Sequence, residues 1–407
     1  MSGQPTVIII NDFAHIEGGA SQVALSGASG LGRRGYSVVL FSAVAPAPSS
    51  RLEHVKIVCT QQHEVIQDPI RARAAIQGLW NVTAAKELRN LLRELDPSQT
   101  VVHVHGWTKG LSSSVIRTTL NAGFMIVCTL HDYFIACPNG SFFNYSTGQI
   151  CRLEPLSPQC IISNCDSRSY GHKLWRVARQ IVQKTSGKMP YGLQHFITVS
   201  DFSEAILRPF LSPQASVYRV PNPINVSREP PVLVANNESF VMIGRLSSQK
   251  APLLFARAAS RLGLTPVFIG EGECREEILK QNPTAVITGW CSSSDVMQHM
   301  KRARGLIFPS LLYETQGLVV LEAAAHGVPA IVSDNCAARE AVVDGVTGFW
   351  FKGGSVDDLA EKLRLLLDDS RASAIGQRAY THYWKNPTTL DRHVDGLEVV
   401  YQRMLRS

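Results

Sequence analysis

Residues 305–327 read GLIFPSLLYETQGLVVLEAAAHG: an apolar run, a turn-rich loop and a second apolar run of helix length. The first run, residues 305–308, lacks alternation of apolar and polar residues, which indicates a strand covered on both faces, as in a parallel sheet. A helix from about Gly317 to His326 is expected after the loop. The stretch therefore predicts one strand–loop–helix unit of an α/β fold.

The same unit recurs along the chain, where short apolar runs alternate with segments of helix length. The other runs are residues 7–10, 38–41, 55–59, 101–105, 125–130, 196–199, 240–243, 267–269, 285–287 and 330–332. The pattern starts afresh after Pro221-Asn222-Pro223, a rigid turn-rich joint. We therefore expect two doubly wound Rossmann-like domains, residues 1–221 and 222–386, with a cleft between them. A final helix within residues 387–407 is expected to pack back on the first domain.

Length and composition agree with two domains, because 407 residues exceed what one hydrophobic core usually supports. The apolar start is too short for a signal peptide, and no stretch reaches the ~18 apolar residues of a membrane-spanning helix, so a cytoplasmic protein is expected. Residues 1–220 hold 20 Lys and Arg against 13 Asp and Glu, whereas residues 221–407 hold 20 of each. A basic first half indicates an acidic acceptor or peripheral contact with an anionic inner membrane face; solvated surface charge is the alternative.

Two acidic residues of the quoted stretch stand in unlike surroundings. Glu314 falls in the loop, whereas Glu322 lies in the predicted helix among apolar residues, where an unpaired carboxylate is costly. A ribose diol would be a fitting partner for Glu322, and an internal arginine is the alternative. The helix N-terminus would offer free N–H groups to a diphosphate. Its positions are Thr315, Gln316, Gly317 and Leu318.

Glu314 and Glu322 enclose seven residues, and the surrounding sequence resembles the E-x7-E region of family 4 glycosyltransferases. The resemblance covers nearly the whole chain, through motifs that begin at Gly18, Thr129, Val199, Val220, Gly244, Phe268, Gly289 and Asp344. It implies a GT-B fold and retaining transfer of a hexose-type sugar from a nucleotide diphosphate sugar, either a UDP-sugar or a GDP-sugar. The implied acceptor is a hydroxyl of a saccharide or lipid-linked molecule in glycan biosynthesis, and no nucleic-acid partner is expected.

The resemblance also implies roles in the second domain. A leaving nucleoside diphosphate needs its growing negative charge neutralised, and two fixed cations would do so. By resemblance, Gly244, Arg245 and Lys250 form this clamp; a solvated cation pair is the alternative. Gly289 and Trp290 follow a strand where the nucleotide base would lie. Since no D-x-D motif stands at a strand end facing the cleft, no divalent cation or other cofactor is expected to be required.

In the first domain, His131 follows an apolar run, at the edge where open α/β sheets bind ligands. The resemblance supports a contact of His131 with the donor sugar; a core histidine paired with Asp132 is the alternative. His105 is a weaker candidate on the acceptor side. Gly18 and Gly19 would face the donor phosphate and the acceptor. Their turn lacks G-x-G-x-x-G, which counts against a dinucleotide oxidoreductase.

An insertion at residues 137–165 is rich in cysteine. Its members Cys137, Cys151, Cys160 and Cys165 are spaced loosely, so structural zinc and reduced thiols both remain open. The odd total of nine cysteines favours reduced thiols. Residues 172–184 form an amphipathic, cationic segment that would rest on an anionic bilayer or bury one stripe as a surface helix.

Two other functions fit the same pattern of motifs. A sugar-nucleotide epimerase would convert its donor without an acceptor. A non-catalytic sugar-nucleotide-binding subunit would be expected to have lost its acidic pair, yet both Glu314 and Glu322 are present. A phosphorylase would carry a pyridoxal lysine, and no lysine stands in a convincing context for one.

Overall fold

The computed structural model describes residues 4–47 and 52–406, which form two compact units. Unit 1 takes in the described residues up to Ser141, then Arg152–Pro223, and then those from Thr389 onward. Unit 2 takes in Phe142–Cys151 and Ile224–Thr388. Within the described ranges, no helix is both long enough and apolar enough to cross a bilayer.

The strands are short, as buried parallel strands usually are. In chain order they are β1 Thr6–Ile10, β2 Ser37–Ser42, β3 Val55–Cys59, β4 Thr100–Val104, β5 Met125–Leu130, β6 Phe143–Asn144, β7 Gln149–Ile150, β8 His195–Thr198, β9 Ser216–Arg219, β10 Ser239–Ile243, β11 Val267–Ile269, β12 Val286–Ile287, β13 Ala303–Phe308, β14 Ala330–Ser333 and β15 Gly348–Phe351.

Helices connect most of these strands. In chain order they are α1 Gly19–Arg33, α2 Arg71–Leu79, α3 Val82–Leu92, α4 Ser113–Asn121, α5 Pro158–Ile162, α6 Tyr170–Thr185, α7 Asp201–Leu207, α8 Pro252–Arg261, α9 Arg275–Gln281, α10 Ser293–Lys301, α11 Leu318–Ala325, α12 Val356–Leu365, α13 Asp369–Lys385 and α14 Leu390–Leu405.

Each unit is built on one parallel sheet. The strand order is β3-β2-β1-β4-β5-β8-β9 in unit 1 and β12-β11-β10-β13-β14-β15 in unit 2. Neighbouring strands in both sheets run parallel. In each sheet the first strand therefore lies beside the fourth, β1 against β4 and β10 against β13, and the order reverses there. Open α/β sheets bind ligands beyond the carboxyl ends of the strands at such a switch point.

The prediction of two Rossmann-like α/β domains is confirmed, and the sheets explain why the apolar runs do not alternate. Ile8, Ile9 and Ile10 of β1 are fully buried because helices cover both faces of a parallel sheet. Unit 2 has a continuous core of its own, which includes Phe240 and Phe268.

Three features of the fold differ from the expectations. Strands β9 and β15 at the sheet edges were not expected, and the β6–β7 hairpin is antiparallel. The segment Phe142–Cys151 that carries this hairpin groups with unit 2, so the expected first domain of residues 1–221 is interrupted.

The last helix, α14, packs against α1 within unit 1. Val394 and Tyr401 of α14 are buried in the core that α1 and the sheet form. The approach is close at Gly30, where an added Cβ would lie 2.6 Å from Val394 Cγ2. The absence of a side chain at Gly30 therefore permits the contact between the two helices.

We expect Gly30→Val to lower the free energy of unfolding of unit 1 by about 1–3 kcal/mol, because the new side chain overpacks a filled core. Urea unfolding followed by circular dichroism measures the change. Ser29→Val is the matched control, because Ser29 lies on the partly exposed side of the same helix. Equal stability of the two variants would contradict the packing described for Gly30.

Candidate functional site

The switch point of unit 2 holds an ion pair. Lys250 ends a short 3-10 turn, Ser248–Lys250, that follows β10, and Glu314 lies in the loop after β13. Lys250 Nζ pairs with Glu314 Oε1. Ser310 Oγ donates a hydrogen bond of 2.7 Å to the same oxygen. The side chains of Lys250 and Glu314 are 29% and 15% exposed, so the pair is partly shielded yet reachable from solvent.

Arg245 lies in the same connection as Lys250, five residues earlier in the chain. It is exposed, and within the described residues it makes no ion pair or side-chain hydrogen bond. Its turn lies directly against the loop after β11, where Leu246 N donates to Glu271 O at 2.8 Å. Gly270 (φ 144°) is required there, because an added Cβ would lie 2.1 Å from Gly244 O. The two turns thus present one joined backbone surface.

Helix α11 starts one residue later than expected, with Gly317 at its N-cap and no side chain capping it. An added Cβ at Gly317 would lie 2.6 Å from the Cβ of Ala338, so only glycine fits. Thr315 and Gln316 precede the helix, and Leu318 is its first residue. The uncapped N-terminus leaves backbone N–H groups and positive dipole available to an anion.

Glu322 lies in α11 between apolar neighbours and is partly buried. Among the described residues its carboxylate has no ion pair or side-chain hydrogen bond, so the alternative of an internal arginine partner is wrong. Burial raises the pKa of Glu322 to about 7. The carboxylate is therefore desolvated and has no protein partner, which is the condition that ligand hydroxyls would relieve.

Gly289 and Trp290 follow β12, the edge strand of the same sheet. Gly289 (φ 79°) forms an isolated antiparallel bridge with Gly270. The turn at Gly289 therefore adjoins the joined backbone surface beside Arg245. The side chain of Trp290 is 80% exposed.

Unit 1 has a cavity of about 200 Å³ at the carboxyl ends of its central strands. Residues that follow β1, β4 and β5 line it, as does the N-terminus of α1 with Gly18 and Gly19. Gly18 has φ 132°, a backbone conformation that favours glycine. The structure thus brings Gly18, Gly19, His105 and Asp132 to one cavity.

Asp12 shapes this cavity, although the sequence analysis missed it. Its two carboxylate oxygens accept four backbone N–H groups, from Thr108, Lys109, Gly110 and Leu111, at 2.8–3.1 Å. The carboxylate is buried and fixes the loop after β4. Its place directly after an apolar strand was the signal available in the sequence.

His131 is partly buried and ends a row of histidines whose other members, His103 and His105, are buried. His131 Nε2 lies 2.9 Å from His105 Nδ1, and the rings of His105 and His103 lie 4.0 Å apart. Burial lowers the pKa of His131 to about 3, so the imidazole is neutral at physiological pH. The neighbouring carboxylate is held by the backbone, because Asp132 Oδ1 accepts a hydrogen bond from Phe134 N at 2.9 Å.

The alternative of structural zinc at Cys137, Cys151, Cys160 and Cys165 finds no grouped ligands among the described residues. In the part of the chain that the structure describes, no three His, Cys, Asp or Glu are grouped to hold a metal. Instead Lys173 Nζ lies 3.5 Å from Cys160 Sγ and 3.3 Å from Cys165 Sγ, so the ammonium group of Lys173 contacts both sulfur atoms. Cys151 groups with unit 2. None of the nine cysteines, all of which lie in the described ranges, forms a disulfide.

Family models match both halves of the chain. The model described as Glycosyltransferase Family 4 matches residues 17–228, and the model described as Glycosyl transferases group 1 matches residues 224–382. The chain therefore belongs to glycosyltransferase family 4, and the resemblance drawn from the motifs is confirmed.

Two curated relatives are similar over part of the chain. A sulfoquinovosyl transferase of Arabidopsis thaliana is 29% identical over 187 residues, which are 42% of this chain and 36% of that protein. The UDP-Gal:alpha-D-GlcNAc-diphosphoundecaprenol alpha-1,3-galactosyltransferase of Escherichia coli is 30% identical over 151 residues, 34% of this chain and 38% of that protein. The chain thus spans less than two fifths of the length of these relatives.

Among solved structures, Anabaena HepE in complex with UDP is similar in fold. Its TM-score is 0.67 at 15% identity, with 98% of this chain and 100% of that chain covered. This likeness agrees with the two parallel-sheet units described above.

The raised pKa of Glu322 has a consequence for stability. A carboxyl whose pKa is higher folded than unfolded stabilises the fold while protonated, and the contribution is lost as pH rises through the folded pKa. Between pH 5 and pH 8 we expect the wild type to lose about 2–3 kcal/mol more than Glu322→Gln, which cannot ionise. Urea unfolding of both proteins at the two pH values measures this. Parallel pH dependence would contradict the desolvation of Glu322.

Proposed function

We propose that the chain is a retaining glycosyltransferase, which moves a hexose-type sugar from a nucleotide diphosphate sugar to a hydroxyl of a saccharide or lipid-linked acceptor in glycan biosynthesis. The observation that carries the proposal is the Lys250–Glu314 pair at the switch point of unit 2, in a connection that also contains Arg245. Family membership supports it. The name of the Escherichia coli relative specifies a diphosphoundecaprenol acceptor, which favours a lipid-linked acceptor here.

In this proposal unit 2 holds the donor. Arg245 binds the diphosphate through its planar guanidinium, and Lys250 binds it through its compact ammonium group, as cations commonly do on phosphates. The uncapped N-terminus of α11, from Thr315 to Leu318, adds backbone N–H groups. Glu322 accepts hydrogen bonds from the two ribose hydroxyls, which compensates its desolvated carboxylate. The turn at Gly289 and Trp290 holds the base.

Glu314 has two tasks in the proposed site. It accepts hydrogen bonds from hydroxyls of the transferred sugar, and it orients Lys250 through their ion pair. Ser310 restricts the carboxylate further, so that Lys250 is fixed before the donor arrives. Fixed charges stabilise developing charge without reorganising during the reaction.

Unit 1 supplies the acceptor side. Gly18 and Gly19 allow a ligand to approach the backbone at the start of α1, in the cavity that His105 also lines. His131, neutral because it is buried, hydrogen-bonds the transferred sugar and does not act as a cation. These roles for Gly18, Gly19 and His131 follow the family resemblance.

The transfer step balances without an enzyme nucleophile. The bond between the anomeric carbon and the leaving phosphate oxygen breaks, and the acceptor oxygen bonds to the same face of that carbon. The acceptor proton passes to the phosphate oxygen that leaves. Because Arg245, Lys250 and the α11 N-terminus neutralise the phosphate charge, we propose that no divalent cation or other cofactor is needed.

A UDP-sugar is the proposed donor, and a GDP-sugar is the second candidate. The complex of HepE with UDP supports uridine, since that protein shares the fold. A ligand that binds the folded protein raises its Tm, and at a ligand concentration of ~100 times Kd it adds about 2.7 kcal/mol of stability. We therefore expect UDP-sugars, as the tighter ligands, to raise the Tm more than GDP- or ADP-sugars do. Differential scanning fluorimetry with a panel of sugar nucleotides measures this. A larger shift with GDP-sugars would reassign the base.

We also propose that the chain works at the cytoplasmic face of a membrane, as a peripheral protein. Residues 1–220 hold 20 basic and 13 acidic residues, and this excess of positive charge supports contact with anionic lipid. The proposed lipid-linked acceptor supports the same contact. Co-sedimentation of the wild type with phosphatidylglycerol vesicles tests the contact, and failure to bind them would remove it.

We expect Glu314→Gln to lower donor turnover by about 100-fold or more, because it removes both a sugar contact and the anchor of Lys250. Steady-state release of the nucleotide measures turnover. Glu361→Gln, at an exposed position of α12, is the matched control and should retain wild-type activity.

Two results would contradict the proposal. Unchanged turnover in Glu314→Gln would remove Glu314 from the site. A product whose anomeric configuration is inverted, as measured by NMR, would exclude transfer on the same face.

A further inference from the structure

Helix α6 exposes apolar side chains and buries polar ones. Tyr170, Leu174 and Ile181 are 39%, 42% and 46% exposed, and with the exposed Ala178 they lie on one face of the helix. We call these four residues the α6 stripe. The buried residues of α6 are Lys173, Val177, Arg179, Gln180 and Gln183. A surface helix of a globular protein normally does the reverse, so both faces of α6 need an explanation.

The buried face of α6 holds the loop that follows His131. Gln180 Nε2 donates to the carbonyl oxygens of Ile135 and Ala136 at 3.2 Å, and Gln183 Nε2 donates to Phe134 O at 3.0 Å. Arg176 Nη1 donates to Asn139 O at 3.2 Å. These bonds fix residues 134–139, the segment directly after His131 and Asp132.

The exposed face of α6 lies in a strongly basic stretch. Residues 152–188 contain seven Lys and Arg but only two Asp and Glu, namely Glu154 and Asp166. Asp166 is buried and pairs with His172 and Arg176, so it does not offset charge at the surface. The exposed basic residues are Arg152, Arg168 and Lys188.

An exposed apolar residue of α5, Ile162, lies near the start of the α6 stripe. Tyr170 OH donates to Ile161 O at 3.2 Å, which places α5 beside the start of α6. Ile162 of α5 is 72% exposed. Exposed apolar side chains in a stretch of sequence that also carries exposed cations match an anionic bilayer, whose headgroups attract the cations while the boundary of the acyl chains covers the apolar groups.

We propose that the α6 stripe docks on an anionic bilayer, and that docking steadies residues 134–139 through the buried face of the same helix. The proposal rests on the peripheral contact proposed above and names the surface that makes it. It adds a consequence, since lipid contact orders the loop that adjoins His131.

The first test is binding. Wild type and the double variant Leu174→Gln, Ile181→Gln are sedimented with vesicles of phosphatidylglycerol or of phosphatidylcholine. We expect the wild type to prefer phosphatidylglycerol and the variant to bind it about tenfold more weakly. Leu233→Gln, which alters a residue that is 72% exposed in unit 2, is the control and should bind as the wild type does. The variants should keep the wild-type Tm, because the altered side chains are exposed.

The second test is amide hydrogen exchange in residues 132–140. We expect phosphatidylglycerol vesicles to slow this exchange by about tenfold in the wild type and to leave it unchanged in the double variant. This readout requires neither donor nor acceptor, so its outcome is independent of glycosyl transfer.

The possible results of the two tests distinguish between the separate parts of the proposal. Wild type that binds no vesicles removes the peripheral contact altogether. Equal binding by wild type and double variant removes the α6 stripe but leaves the peripheral contact. Equal binding to phosphatidylcholine, or a wild-type dimer that the double variant lacks in sedimentation equilibrium, overturns the anionic bilayer as the occupant. Unchanged exchange in the bound wild type overturns the effect on the loop.

Discussion

The candidate site depends on the ion pair between Lys250 and Glu314. Lys250 lies in the connection after β10 and Glu314 in the connection after β13. Their ion pair joins the two connections where the strand order of unit 2 reverses. A parallel sheet forces these two strand ends together, although more than 60 residues of sequence separate them. Arg245 and the start of α11, the other groups proposed to bind the sugar nucleotide, follow the same two strands. A backbone hydrogen bond of 3.0 Å from Leu311 N to Gln249 O joins the same two connections.

Much of the fold could be predicted from the sequence because buried parallel strands are apolar on both faces. The central strands of both sheets were found in this way. The edge strand β9 escaped because its residues are partly or fully exposed, and so it lacks an apolar run. The hairpin at Phe143 and Ile150 escaped because each of its strands has only two residues.

The motifs with His131, Arg245 and Glu314 follow strands β5, β10 and β13, but the motifs did not give the partners of these residues. That Glu314 meets Lys250, and that Glu322 meets no arginine, follows from the strand order and from packing, which spacing does not encode. Lys173 shows the same limit, because four loosely spaced cysteines gave no sign that an ammonium would lie between two of them. Asp12 was overlooked because its partners are backbone amides, which no side-chain pattern reveals.

The place of α14 makes unit 1 discontinuous in sequence, with most of unit 2 inserted before its final helix. During synthesis the sheet of unit 1 emerges first, yet the core around Val394 and Tyr401 stays open until α14 has been made. Unit 2 has its full set of strands earlier. The core of unit 1 therefore cannot close until the strands of unit 2 have been made.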